Sequence, residues 1–187
     1  MKFYFDGCSH TFGAELNRTR LDDRYSSLVS KHFDAEEYNI SMCGSSNRRI
    51  ARNLMDHNLS QFDFIVIQMT KRLRTEYYDG QQWRKVKFNT RTNDVGPKNP
   101  QKEFWDRYYR EIYHDEYGRS DEKIFYTLIR LLLRDIPHML IGFYQTEVPV
   151  DHKYGRFDIP KAKEGHPNKQ GHSIIANDII KYYESIH

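Results

Sequence analysis

A three-layer α/β/α fold around a parallel sheet is what this sequence predicts. Short apolar runs alternate along the chain with stretches of helical periodicity, and each run ends in small or turn-forming residues. The first run, Lys2-Phe3-Tyr4-Phe5, stops at Asp6-Gly7 and predicts a buried strand closed by a tight turn. From Leu21, the positions Tyr25, Leu28, Val29, His32 and Phe33 fall at helical spacing and predict a returning helix over 21–33. Tyr38 to Met42 reads as a second strand, ending at Cys43-Gly44-Ser45-Ser46, where Ser45 or Ser46 caps a helix carrying Ile50, Leu54 and Met55.

The run from Phe62 to Met69 is the clearest strand, apolar but for Asp63 and Gln68, as suits a central parallel strand covered on both faces. Between Lys71 and Lys102 nine Lys or Arg stand against three acids. Tyr77-Tyr78-Asp79-Gly80 before Trp83 predicts a hairpin within that segment, so 71–102 reads as an insertion or lid on a single 1–187 domain. Residues 103–134 read as helical with a break near Tyr117-Gly118 and a core stripe of Ile124, Leu128, Leu131 and Leu132, ended by Pro137. Trp105, Tyr108 and Tyr109 in that stretch fit a core face. Met139 to Tyr144 is a fourth strand, and a loop with Pro149, Gly155 and Pro160 leads to a last helix from Lys169 to Ser185.

Composition bounds the function. A chain of 187 residues suits one domain with one sizeable core, and 14 Tyr, 11 Phe and 2 Trp supply bulk that disordered chains lack. The net charge of +3 does not by itself point to nucleic acid or membrane surfaces. Two cysteines, Cys8 and Cys43, make no disulfide framework, and the N-terminal residues lack an apolar signal core, so the expectation is a cytoplasmic protein. No apolar run approaches the roughly 20 residues that span a bilayer. Nine histidines form no spaced ligand set of a known kind, so no metal is expected. Nothing in the sequence sets the oligomeric state.

Ligands of open α/β sheets bind at the carboxyl ends of the strands, which directs attention to the loops after Phe5, Met42, Met69 and Tyr144. Gly7-Cys8-Ser9-His10-Thr11-Phe12-Gly13 follows the first strand and puts a hydroxyl at that edge. Near the other end, Glu164-Gly165-His166-Pro167 leads into the last helix. A serine nucleophile needs a base, and an imidazole oriented by a carboxylate is the commonest one. Taken singly, Ser9 is an ordinary turn residue and His166 an ordinary loop histidine; together they have a chemical use.

The segment Gly7 to Gly13 resembles the first block of the SGNH (GDSL-type) hydrolases, Gly-Asp-Ser-x-Thr-x-Gly, with Cys8 in place of Asp. His166-Pro167 to Gly171-His172 resembles the last block, where the catalytic His precedes the terminal helix. The resemblance implies a flavodoxin-like sheet and acyl transfer without a cofactor. Ser9 is then the nucleophile and His166 the base, with the amides of Ser9 and Gly44 in the oxyanion hole. The third block departs, reading Gln68-Met69-Thr70 where the family has Gly-x-Asn, which leaves Thr70 as the third donor. The family acid three residues before the His is Lys163 here; Glu164 takes the role, with Asp158 and Asp151 as fallbacks and a Ser–His dyad as the remaining option.

The implied reaction is hydrolysis of an acyl or acetyl ester, the substrate a small molecule or a carbohydrate. Arg72 and Arg74, just past the third block, are candidate substrate contacts, and Tyr77, Tyr78, Trp83 and Phe88 in the basic segment form a candidate ligand surface. Three other readings stand beside this one. The fold can serve as a non-catalytic binding or structural module in a larger assembly. The basic segment, with Arg84, Lys85 and Lys87, can contact nucleic acid, a reading that ranks below the others. The resemblance to compact members encoded by bacteria and their viruses implies virion association if the source is viral.

Overall fold

The computed structural model describes residues 1–89, 94–95 and 101–187, side chains of 87–89 and 94–95 excepted. It opens with β1 (Lys2–Asp6), α1 (Ser9–Phe12), α2 (Arg20–Asp23), α3 (Tyr25–His32), β2 (Glu36–Asn39), α4 (Asn47–Asp56) and β3 (Phe64–Gln68). There follow β4 (Arg74–Tyr78), β5 (Trp83–Asn89), β6 (Asp94–Val95), α5 (Lys102–Glu111) and α6 (Asp115–Leu133). The chain closes with β7 (His138–Phe143), β8 (His152–Tyr154) and α7 (Lys169–Ile186). Five strands form one sheet in the order β2-β1-β3-β7-β8, every pair parallel.

Side-chain alternation along the central strands explains why their apolar runs are unbroken. Phe3, Phe5, Phe64, Val66, Met139 and Ile141 meet Tyr25 and Val29 of α3 and Ile175 and Ile179 of α7 on one face. On the other, Tyr4, Ile65, Ile67 and Leu140 meet Ile50 and Leu54 of α4 and Ile129 and Leu133 of α6. The fold is therefore the three-layer parallel architecture the alternation predicts.

The edges differ from expectation. Regular pairing of the second strand ends at Asn39, whose side-chain oxygen accepts from the Ser41 amide at 3.0 Å, while the Ile40 and Met42 amides still donate to the Phe5 and Gly7 carbonyls at 3.1 and 3.3 Å. Strand β8, three polar-flanked residues against β7, carries no apolar signature at all. The 21–33 helix is divided into α2 and α3 at Arg24, whose extended backbone breaks the ladder.

In the long helical stretch the break falls at residues 112–114, and Gly118 lies buried inside α6. It is tolerated there because a Cβ at 118 would stand 1.7 Å from Tyr113 Oη: the missing side chain makes room for the tyrosine ring. The core stripe of α6 is also rotated. Ile129 and Leu133 are fully buried, whereas Ile124 and Leu131 are exposed.

Strands β4 and β5 pair antiparallel through a turn at 79–82, and β6 adds to β5. The stretches 90–93 and 96–100 of the basic segment, and the side chains of Lys87 and Phe88, lie outside the described residues. Among the described residues no helix is long and apolar enough to cross a membrane.

Candidate active site

The chain runs from β1 to β2 on one side and returns to β3 on the other, so the carboxyl ends of β1 and β3 flank the point where strand order reverses. Loops at such a point diverge and leave a crevice. Ser9, first residue of α1, follows β1 into it, and Met69-Thr70 follows β3.

The turn carrying Ser9 is tied down from below. Gln68, nearly buried at the end of β3, accepts from the Cys8 amide at 3.0 Å and from Thr11 Oγ1 at 3.1 Å. Gly7 is required for this approach, since a Cβ there would meet Thr11 Oγ1 at 2.2 Å and Gln68 Oε1 at 2.9 Å. Beneath it, fully buried Asp6 accepts from Arg49 at 3.0 Å, Asn53 at 2.7 Å and the Gly7 amide at 2.7 Å. Burial raises the Asp6 carboxyl above its usual range despite these donors.

Cys8, where the family motif has Asp, is buried with its Sγ 3.4 Å from His10 Nδ1. Burial alone would raise the thiol, but the charge and hydrogen bond of His10 overrule it, with help from Arg74, and hold Cys8 well below the ordinary thiol range. Ser9 Oγ donates to this sulfur at 3.8 Å. No hydrogen bond joins Ser9 to His166 among the described residues. The ring of His10, next to Ser9, stacks on Phe143 at 4.3 Å and lies 5.4 Å from the His166 ring.

The acid facing His166 is Glu15, not Glu164. Glu15 Oε2 is 2.8 Å from His166 Nδ1, and the carboxylate also accepts from the amides of Glu164 at 2.8 Å and His166 at 3.1 Å. Burial would raise Glu15, yet these hydrogen bonds keep it below the usual carboxylate range. Glu15 holds a left-handed backbone, φ 71°, a conformation that costs a non-glycine residue on the order of 1 kcal/mol.

The Glu164 carboxyl is exposed and makes no hydrogen bond to the imidazole, although its backbone orders the acid that does. The fallback acids are engaged elsewhere. Asp151 pairs with Arg130 at 2.6 Å, and Asp158 accepts from the Gly155 amide at 2.6 Å. Local spacing around His166 gave no sign of Glu15, because that contact closes 151 residues of chain.

Glu15, Glu164 and His166 are also a group able to offer a cation three donors, one from each within 4.8 Å of the others. The two amides already occupying Glu15 fit an oriented imidazole better than a metal ligand.

Gly44 sits buried in a left-handed turn, φ 76°, just before α4, which Ser46 caps by accepting from the Arg49 amide at 3.2 Å. The amides of Ser9 and Gly44 donate to no described residue, leaving both able to meet an oxyanion. Thr70 is otherwise engaged: its amide and hydroxyl reach Asn47 Oδ1 at 2.7 and 3.1 Å, and Asn47 Nδ2 donates back to its carbonyl at 3.2 Å. Asn47, unremarked in the sequence, thus fixes the third-block loop.

Arg74 donates to the Ser45 carbonyl at 3.4 Å beside Gly44, while Arg72 pairs with Asp115 at 3.1 Å and with Glu147. Of the two arginines, Arg74 is the one whose charge reaches Cys8, next to Ser9.

Solved structures share this architecture. One is a protein assigned to the lipolytic G-D-S-L family from Desulfitobacterium hafniense DCB-2, with TM-score 0.50, 9% identity, and coverage of 97% of this chain and 98% of that one. The psychrotrophic esterase EstA from Pseudoalteromonas sp. matches with TM-score 0.52 and 12% identity over 98% and 97% of the two chains. An acetyl xylan esterase, Est2A, from the rumen bacterium Butyrivibrio proteoclasticus matches with TM-score 0.50 and 11% identity; the match covers 98% of this chain but 63% of that one. No family model and no curated protein sequence matches. The fold is therefore like that of these solved structures, an SGNH hydrolase-like fold.

Proposed function

We propose that the protein is a serine hydrolase that cleaves an acyl or acetyl ester, with Ser9 as nucleophile, His166 as general base and Glu15 orienting the imidazole. The observation that carries this reading is the Glu15–His166 pair. A carboxylate held by two amides fixes His166 Nδ1 at 2.8 Å, which leaves Nε2 to face the nucleophile.

A rotation about the Ser9 side chain exchanges the Cys8 contact for one to His166. Ser9 then attacks the ester carbonyl, its proton passes to His166, and the amides of Ser9 and Gly44 receive the oxyanion. His166 returns the proton to the leaving alcohol, and water activated by the same imidazole releases the acid and regenerates Ser9. With Thr70 held by Asn47, two amides rather than three donors do this work, and a missing donor costs roughly a hundredfold or more. Modest turnover is expected. A carbohydrate ester is a natural substrate class given the acetyl xylan esterase among the similar structures.

The test is hydrolysis of a short-chain aryl acetate, then of acylated sugars and thioesters, by the wild type beside Ser9→Ala, His166→Ala and Glu15→Gln. Activity lost in Ser9→Ala and His166→Ala supports the assignment. A wild type as inert as Ser9→Ala on every ester leaves the second reading, a binding module on the same scaffold. That alternative draws on the Ser9 hydroxyl turned to Cys8 and the Thr70 hydroxyl held by Asn47.

A further inference from the structure

The long helix α6 carries more apolar surface than its own chain covers. Ile129 and Leu133 are buried in the core that α4 shares, and Leu128 and Leu132 pack against it. Tyr117, Ile124 and Leu131 face the other way and are 46–57% exposed. These three recur at every seventh residue, so they form one line along the helix, about 21 Å long at 1.5 Å per residue. Apolar residues exposed singly are ordinary; a heptad line of them is the pattern by which one helix packs on another.

The line continues onto a neighbouring element. Exposed Phe104 of α5 joins Tyr117, Trp105 and Tyr108 in lining a concavity of about 240 Å³. One end of the stripe is therefore an aromatic hollow and the other an apolar knob, Leu131. Two such ends meet when a second copy of the helix runs in the opposite direction.

Charge along α6 points the same way. Asp115 to Glu122 holds four acids and Arg119, whereas Lys123 to Arg134 holds three bases and no acid. Asp115, Arg119 and Arg130 also pair within the chain, with Arg72, Glu147 and Asp151. Glu116 and Arg134 have only exposed partners close in sequence, Arg119 at 3.5 Å and Asp135 at 2.9 Å. These two lie about five full turns apart, and so on the same side of the stripe. Parallel stacking of two such helices sets like charges side by side. Antiparallel stacking brings Glu116 of each copy to Arg134 of the other and opposes the helix dipoles.

We propose that α6 is the contact of an isologous, antiparallel dimer of this chain. Ile124 lies at the twofold axis, and Tyr117 faces Leu131 of the second copy, which closes the aromatic hollow. A contact made by one helix pair and its rim is at the small end of interface sizes, so association in the micromolar range is expected. The proposal is independent of the reaction assigned to Ser9.

The test is sedimentation velocity with light scattering, from low micromolar to several hundred micromolar chain. The wild type is expected to pass reversibly from one chain to two. Ile124→Asp and Leu131→Gln each weaken association tenfold or more at unchanged unfolding midpoints. Glu116→Lys and Arg134→Glu each weaken it as well, because each puts like charges together at both ends of the dimer. Mixed in equal amounts, these two charge variants restore opposite charges at both ends, and a heterodimer forms where neither variant self-associates. A wild type that stays a single chain throughout overturns the proposal, as does a dimer indifferent to both apolar substitutions. A mixture no more associated than its components overturns the antiparallel pairing. Ester hydrolysis assayed on the same samples reports on the catalytic reading separately.

Discussion

Glu15 and His166 meet across 151 residues, Oε2 to Nδ1 at 2.8 Å, and the acid reaches the ring from the loop just beyond Ser9. The proposed nucleophile, Ser9, and the proposed orienting acid, Glu15, thus sit on one short stretch of chain, and the last loop supplies only the imidazole. The order of parts differs from one in which acid and base share the last loop, but the geometric roles are the same.

This arrangement predicts an asymmetry between two acids. Glu15→Gln keeps shape and hydrogen-bonding capacity but removes the charge that stabilises an imidazolium, so kcat/KM falls about a hundred- to ten-thousand-fold. Glu164→Gln keeps the backbone amide that orders Glu15 and stays within about threefold of wild type. Steady-state kinetics on the best ester decides it, and equal losses in the two variants would place the acid function on both.

Cys8 is expected to ionise well below the ordinary thiol range, because the charge and hydrogen bond of His10 outweigh burial. In a Cys43→Ser background the thiolate absorbance near the far ultraviolet edge belongs to Cys8 alone. Its midpoint should fall well below the ordinary value of about 8.5 and rise when His10 becomes Gln. A midpoint that does not move in His10→Gln would remove His10 as the cause.

Legibility in the sequence followed the range of each interaction. Strands β1, β3 and β7 announce themselves because both faces are buried, so every residue must be apolar. Strands β2 and β8 are edges held by backbone pairing, which needs no particular side chain. Ser9 and His166, the proposed nucleophile and base, stand in local motifs. Glu15, Gln68 and Asn47 act on partners 151, 60 and 23 residues away, and no local pattern encodes such contacts. The Asn47–Thr70 pairing shows how a departure from a motif can be read only in three dimensions: Thr70 has a hydroxyl at the expected place, but a neighbour already accepts its proton.

Gly118→Ala tests the packing of Tyr113 against α6. Alanine favours a helix interior by about 0.5–1 kcal/mol, while the clash at 1.7 Å with the Tyr113 hydroxyl forces repacking worth roughly 1–3 kcal/mol. The net effect should be a loss of about 1 kcal/mol in denaturant unfolding. In a Tyr113→Ala background the clash is gone, so the same substitution should stabilise. Stabilisation by Gly118→Ala with Tyr113 present would show that the ring moves freely.

His172 couples the fold to pH. It is fully buried on the first turn of α7, its Nδ1 accepting from the Tyr25 amide at 3.2 Å while Nε2 has no partner. Burial, with the nearby charge of His10, lowers its pKa to about 4. The folded state therefore favours the neutral ring, and between the ordinary value of about 6.5 and the folded one the unfolded chain binds more protons. The His172 contribution is fully present above pH 6.5 and is lost as pH falls through that window, by on the order of 3 kcal/mol in total. In His172→Asn the side-chain oxygen takes the place of Nδ1 as acceptor for Tyr25, and the titration disappears. Unfolding free energies measured from pH 7.5 down to 4 should converge for wild type and variant as the pH drops, because only the wild type loses this increment. Parallel pH profiles for the two proteins would mean that His172 is not the group that titrates.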